Sequence, residues 1–547
     1  MAREPRLGIV LGLNGCHPRS HDASACLVIN GKVEAFAEEE RFIRRKRAFD
    51  TYPINASRYC LTEVGISEND IDAIAVGSNM FDHRKDDCYL ERWLPSPVFN
   101  LKKKIPLHFV PHHLAHAASV FFVSKMKEAA ILTLDGQGEQ EATSLFVGRG
   151  RTIDLVKQYP VERSLGFLYA AVSVFCGLGT FGAGKLMGLA PYGRPKYKES
   201  MKDIFNTIKF SKEKNLDLQD QYIQKFNEGL RGAGFRKAHM TVSQQLTRGI
   251  LLKVPHITQE HKDLARSAQS FLEDQVLSYA REVKEMTGSE NLCLSGGVAL
   301  NCVANSKLEN SGTFKKIFIQ PACEDSGSAM GAALSLSKRN LGLSSPYLGP
   351  AFSNREIKGL LKERKIRHKQ SNDVSMAAAA FLVAGKVVGW FQGAMECGPR
   401  ALGNRSILAD PRRKGMMDKV NNIKGRELWR PFGPSVIEEK ANLIFENYVR
   451  SPYMLKSFTV KDSWRAKISA VVHVDGSTRP QTVARTQNER FYHLLVEFEK
   501  RTGVPLVLNT SFNYAGEPLV CSPADAIKTF FSTGLDVLIM EDCIVLK

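Results

Sequence analysis

No run of about 20 uncharged apolar residues occurs in the 547-residue chain, which excludes a conventional membrane-spanning helix. The most apolar candidate, residues 377–391, is broken by Lys386. The 11 cysteines stand singly, with no C-x-x-C pair, which argues against a structural zinc site or a disulfide framework. Several (Cys26, Cys176, Cys293) fall in apolar segments, as buried thiols in a reducing cytoplasm would. The opening MAREPRLGIVLG is basic, but its apolar run is short and has no cleavage-like ending. It is expected to form a first strand rather than a signal peptide. Tandem repeats of solenoid length and low-complexity tracts are also missing. Residues 179–185 read G-x-x-x-x-G-K, yet Leu186 stands where a P-loop needs a hydroxyl for Mg²⁺, and no clear strand leads into the loop.

Acidic residues are the scarcer charge, 57 against 75 basic, for a formal net charge of +18. That balance suits solvated surfaces or anionic partners such as phosphates and nucleotides. The basic clusters at residues 41–47 and 102–104 have no interleaved aromatics to stack bases, so nucleic acid is not the expected partner.

The length calls for two or three cores. Residues 7–13, 23–29 and 33–37 predict a strand meander turning at Asn30-Gly31. A helix over 55–64 and a strand over 71–76 follow. Residues 129–134 predict a buried strand ending at Asp135-Gly136, with hairpin strands at 143–147 and 152–156. A long amphipathic helix over 264–286 leads to a strand at 292–294, Gly296-Gly297, a helix through Leu308, a strand over 316–319 and a helix over 325–337. The recurrence of this grammar predicts a duplicated α/β nucleotide-binding fold. Residues 341–353, rich in Gly, Ser and Pro, read as a linker. A second α/β unit has predicted strands at 387–391, 468–474 and 506–508 and helices at 489–501 and 523–533.

Chemistry-bearing residues cluster in the same pattern. His112 and His116, four apart at a helix start, share one face and can ligate one metal. His113 occupies the position where a zinc protease has its glutamate. Asp135 ends an apolar strand, where a carboxylate is costly unless coordinated or solvated. Asp325 opens a helix, where it could also serve as an ordinary cap. Two His and two Asp suit Fe²⁺, Mn²⁺ or Zn²⁺. Gly182-Ala183-Gly184-Lys185 and Ser295-Gly296-Gly297 let backbone approach a phosphate. Arg400 and Arg405 stand among glycines, Lys424, Arg426 and Arg430 follow, and Arg479 lies beside Ser477-Thr478. Together they point to an anion site. His21, at the edge of a loop carrying Cys16 and His17, is a candidate general base.

HDAS at His21, FAEEERF at Phe36, HHLAHAAS at His112, LDGQGE at Leu134, GKLMGLA at Gly184, SGGVALN at Ser295, GPRALGNRS at Gly398, STRPQTV at Ser477 and LNTSFN at Leu508 together resemble the O-carbamoyltransferase family of the tobramycin, cephem and NodU type. The resemblance spans nearly the whole chain, in order, although the loop before His21 and residues 201–261 match it poorly.

It implies a TsaD-like, duplicated actin-like ATPase domain over 1–340, a linker over 341–353 and a YrdC-like domain over 354–547. The second would make carbamoyl adenylate and pyrophosphate from carbamoyl phosphate and ATP. The first would pass the carbamoyl group to the hydroxyl of a small molecule. The resemblance implies Fe²⁺, or another divalent metal, on His112, His116, Asp135 and Asp325, with Mg²⁺ a further candidate cofactor. It places Arg400, Lys424, Arg430, Arg479, Asn509 and Ser511 around carbamoyl phosphate and the adenylate-forming site. Lys185, Gly296, Gly297 and Asn301 would lie near the adenylate in the transfer domain, and His21 would assist transfer. A cytoplasmic enzyme without membrane association is expected, a homodimer being one candidate assembly.

Two other readings stay open. Basic charge and the related N-terminal fold also suit a tRNA threonylcarbamoyl-type modification enzyme, which would bind tRNA with steep salt dependence. A non-enzymatic actin-like regulator would leave the C-terminal arginines without a role. The acceptor is equally open among an aminoglycoside, a cephem, a chitooligosaccharide and a toxin alcohol.

Overall fold

The computed structural model describes residues 8–15, 20–78, 104–210, 217–247 and 250–547. Cys16 and His17, and Lys102 and Lys103 of the second basic cluster, lie outside these. The chain divides into two compact units, Met1–Met126 with Gln320–Lys547, and Lys127–Ile319. Among the described residues, no helix is long and apolar enough to cross a membrane.

In the first unit, β1 (Ile9–Asn14), β2 (Ser24–Ile29), β3 (Lys32–Glu38), β4 (Ala73–Val76) and β5 (Leu107–Phe109) form a sheet ordered β3-β2-β1-β4-β5. The first three strands are an antiparallel meander, and β4 and β5 continue it in parallel. Asn30 and Gly31 both take positive φ, 51° and 84°, the conformation a two-residue hairpin needs to match strand twist. Helix Gly327–Ser337 packs against β1 so closely that a Cβ on Gly12 would lie 1.9 Å from the Ala329 carbonyl oxygen. Its sequence, GSAMGAALSLS, is built of small residues that permit this approach.

The second unit contains β6 (Glu128–Leu134), β7 (Glu141–Arg149), β8 (Thr152–Pro160), a hairpin of β9 (Met240–Thr247) and β10 (Ile250–Pro255), β11 (Asn291–Ser295) and β12 (Lys316–Phe318). Its sheet runs β12-β11-β6-β7-β8. Here too three antiparallel strands are continued by two parallel ones. The two sheets therefore repeat one topology, as the recurring sequence grammar predicts. Helix Gln259–Thr287 is longer than its apolar period suggested. Thr258 and His261 form a capping box at its start, and Gly288 in the left-handed region stops it.

Residues beyond 354 build an eight-stranded mixed sheet. Its centre is Val388–Phe391, Arg405–Ala409, Leu506–Ser511 and Gly433–Ile437, each antiparallel to the next. Trp390, Phe391, Phe491, Phe498 and Phe512 fill the core between this sheet and its helices. The predicted strand at 468–474 is instead a 3₁₀ turn over Ser469–Val471. Ile468, Ala470 and Val471 are buried, so their apolarity reflects packing rather than a ladder. Residues 341–353 contain no helix or strand, yet they are pinned. Leu348 accepts hydrogen bonds from the Phe36 backbone N–H and the Tyr59 hydroxyl, and Pro346 from Cys397 N–H.

Candidate active site: a histidine–aspartate cluster and a basic cluster

Helix His112–Phe121 presents His112 and His116 on one buried face. Their Nε2 atoms stand 3.1 Å apart with the rings perpendicular. Asp325 Oδ1 lies 3.7 Å from His112 Nε2 and 3.5 Å from His116 Nε2, and the ligand atoms of the three residues all fall within 4.8 Å of one another. His112 Nδ1 pairs with the Gly77 carbonyl at 3.1 Å, which fixes the ring and aims Nε2 inward. Two imidazole lone pairs and a carboxylate oxygen facing one point are a donor set that a divalent cation fits.

Close packing places this set. A Cβ on Gly331 would lie 1.7 Å from the Ala115 carbonyl oxygen, so helix Gly327–Ser337 touches the histidine helix backbone to backbone. Asp325 precedes the Ser326 N-cap rather than capping the helix itself. Ser24 Oγ donates to the Ser326 carbonyl at 2.7 Å and ties that turn to β2. The other Asp325 oxygen, Oδ2, is 3.4 Å from His21 Nδ1, and Asp22 Oδ2 is 2.9 Å from the same atom. Burial opposes protonation of His21, but the two carboxylates outweigh it and push its pKa up to about 9. Burial raises the Asp325 pKa, yet His21, His112 and His116 hold it well below the ordinary carboxylate range.

In the second unit, Asp135 ends β6 and is buried. Its Oδ1 accepts the N–H groups of Gly136 at 2.8 Å and Gly297 at 3.1 Å. Gly296 has φ 91°, and a Cβ there would strike the Leu134 carbonyl at 2.1 Å, so this glycine turn is required for β11 to pass β6. Asn301 caps helix Cys302–Asn310 and shares two amide hydrogen bonds, 2.9 and 3.1 Å, with Gln269. Lys185 is half-buried on the first turn of Ala183–Leu189.

The second cluster of the first unit is basic. Lys424, 4 % exposed, closes helix Met416–Lys424. Its ammonium donates to the carbonyl and hydroxyl of Ser511 and to the carbonyl and side-chain oxygen of Asn513. Burial, then Arg426, Arg430 and Lys46, hold its pKa well below that of an ordinary lysine. Arg426 is depressed by burial, Arg430 and Arg479, and Arg430 by burial and Arg479, with Glu427 the nearest counter-charge. Arg426 stacks on Phe432, 4.1 Å from the ring centre.

Asn509 and Ser511 belong to the strand itself, which runs on to Ser511 rather than ending at Leu508. Asn509 Nδ2 donates to Ser435 Oγ at 2.8 Å, and to Gln481 Oε1 and the Ala401 carbonyl at 3.3 Å. The last contact brings the Arg400 loop to the strand. Three buried polar atoms, Arg426 Nη2, Arg479 Nε and Asn509 Oδ1, have no hydrogen-bond partner among the described residues.

Arg405 turns out to be structural. Its fully buried guanidinium donates to the carbonyls of Pro350, Gln392, Gly393 and Asn404 and stacks on Phe391. Sequence reasoning missed Glu396, whose buried Oε1 accepts the N–H groups of Leu402, Asn404 and Arg405 and so folds the Arg400 loop. An acidic residue inside the apolar stretch Met395–Cys397 was the available signal.

A family profile described as Carbamoyltransferase N-terminus matches residues 95–334, and one described as Carbamoyltransferase C-terminus matches residues 379–547. Nodulation protein NolNO of Sinorhizobium fredii is 39% identical over 582 residues, covering 99% of this chain and 82% of that protein. Nodulation protein NolO of Bradyrhizobium diazoefficiens is 38% identical, covering 80% of this chain and 78% of its own. Among solved structures, full-length HypF in its phosphate- and nucleotide-bound form is 12% identical with a TM-score of 0.33, covering 62% of this chain and 57% of that one. Two profiles in tandem and relatives matched over most of their length show that this chain belongs to the carbamoyltransferase family and is a carbamoyltransferase.

Proposed function

We propose that the enzyme is an ATP-dependent O-carbamoyltransferase that forms carbamoyl adenylate and passes its carbamoyl group to a small-molecule hydroxyl. The observation that carries this reading is the collection of Lys46, Lys424, Arg426, Arg430 and Arg479 with Glu40 and Glu427 as the acidic neighbours. A buried lysine beside half-buried arginines is costly without a counter-anion, and a polyphosphate supplies several negative charges at once. Arg400, Lys424, Arg430, Arg479, Asn509 and Ser511 are assigned to carbamoyl phosphate and ATP, within a YrdC-like domain over 354–547. For the bonds to balance, carbamoyl phosphate loses its phosphate to water. The carbamate oxygen then attacks the α-phosphorus of ATP and pyrophosphate leaves.

Transfer is assigned to residues 1–340, read as an actin-like, TsaD-like domain. Lys185, Gly296, Gly297 and Asn301 hold the adenylate, whose AMP half gives the protein a handle for orienting the carbonyl. The acceptor hydroxyl attacks that carbonyl, AMP departs, and His21 takes the hydroxyl proton. His112, His116 and Asp325, with Asp135 as fourth ligand, hold a divalent metal, proposed as Fe²⁺. When bound, it supplies Lewis-acid stabilisation of oxygen charge. Asp325 is the first of the two carboxylates that raise the His21 pKa, so a cation there moves His21 back toward neutrality.

His21→Ala is expected to leave carbamoyl-phosphate-dependent pyrophosphate release intact and to lower carbamoylation of the acceptor at least 100-fold. Arg400→Ala is expected to impair pyrophosphate release itself. A panel of alcohols, read by mass spectrometry for an added carbamoyl group, identifies the acceptor. Equal loss of both half-reactions in folded His21→Ala would reject the division of labour.

A further inference from the structure

Apart from Glu40, the FAEEERF segment carries none of the chemistry above, yet it is heavily bonded within the first unit. Glu38 and Arg41 form an ion pair at 3.2 Å with side chains only 7 % and 2 % exposed. Both partners also hold a third residue. Glu38 Oε1 accepts the Gly398 N–H at 2.8 Å, and Arg41 Nη2 donates to the Gly398 carbonyl at 2.9 Å. One residue thus has both backbone groups gripped by two side chains. Gly398 has φ 81°, and a Cβ on it would lie 2.2 Å from the Pro321 carbonyl oxygen, so it cannot shift in that direction.

The rest of the segment is docked beside it. Phe42 packs on Met395, Ala401, Leu519 and Cys521, and Arg44 donates to the carbonyls of Pro518 and Leu519. Arg400 follows Gly398 by two residues, and Ala401 bonds Asn509. Gripping Gly398 therefore sets where the Arg400 guanidinium can reach.

We propose that Glu38 and Arg41 are positioning residues for the anion site, acting through Gly398 on Arg400. This rests on the assignment of that site to a polyphosphate. A buried salt bridge need not add net stability, since an apolar pair of similar volume often replaces one without loss. Retention of so exacting a contact fits a role in geometry.

The test uses the full-length chain and inorganic pyrophosphate as the probe, titrated calorimetrically. The double variant E38L/R41M removes both charges of the pair; Glu40, which also faces Arg41 Nη1 at 3.1 Å, keeps its bond from the Arg47 N–H, and the melting temperature is expected to stay within a few degrees. Its pyrophosphate affinity should fall about tenfold. E38Q, whose amide oxygen still accepts the Gly398 N–H, should recover most of that loss. Adding E38L/R41M to R400A should weaken binding no further than R400A alone, because the clamp acts through the missing guanidinium. Wild-type affinity in E38L/R41M, or a loss of equal size with and without Arg400, would overturn the clamp alone. Failure of the wild-type chain to bind pyrophosphate would overturn the anion-site reading and the clamp with it.

Discussion

Lys424 spends its ammonium on four oxygens of Ser511 and Asn513 while facing Lys46, Arg426 and Arg430. Its depressed pKa has a definite sign in linkage. Between the folded value and the ordinary lysine value of about 10.4, the unfolded chain carries the extra proton, so the group's penalty on stability fades as pH rises. A bound polyanion restores the proton. Pyrophosphate binding should therefore take up protons in that window, seen as a dependence of the calorimetric heat on buffer ionisation enthalpy. K424M should abolish the uptake and weaken binding at least tenfold. Unchanged uptake in K424M would assign the proton elsewhere.

The sequence named Lys424, Arg426 and Arg430 because cations close together in glycine-punctuated loops are conspicuous. Composition and spacing do not separate Arg400 from Arg405, five residues on, and it is the fold that shows Arg405 Nη1 and Nη2 donating to backbone carbonyls.

Small residues decide what the elements can do. Gly331 lets helix Gly327–Ser337 rest on the Ala115 carbonyl, and the two helices between them position His112, His116 and Asp325. G331A forces them apart. The expected cost is about 1–3 kcal/mol of stability in urea, as for overpacked cores, with Co²⁺ affinity, followed by absorbance, reduced in parallel. Loss of stability with full Co²⁺ affinity would detach the proposed metal site from this contact. Periodicity located these elements well because an apolar strand and an amphipathic helix each advertise one period. It failed at 468–474, where burial without a ladder yields the same composition. It also stopped short at Leu508, since the polar Asn509 and Ser511 belong to the strand itself.

For the whole chain, the linear reading placed a boundary near residue 341, and contacts instead group Met1–Met126 with Gln320–Lys547. The difference is physical. The buried residues of the eight-stranded sheet's large core run from Ile357 to Val545, with Phe352 packed against them. The bonds from Arg41 and Arg44 to Gly398, Pro518 and Leu519 join residues hundreds apart and leave no local trace. A fragment of residues 341–547 is expected to unfold cooperatively in urea, its far-UV and near-UV signals coinciding, because its core is self-contained. Non-coincident signals would show that the N-terminal residues complete that core.

The same long-range pairing governs how the enzyme comes off the ribosome. The histidine helix and the first sheet emerge early, but the helix that covers β1 and the carboxylate that faces the histidines follow only after Lys127–Ile319 has been made. Through that interval the nascent sheet shows an apolar face and the imidazoles lack their partner. Completion of the histidine–carboxylate cluster is therefore a late event in biosynthesis, and a chain stalled before residue 325 is a substrate for chaperones.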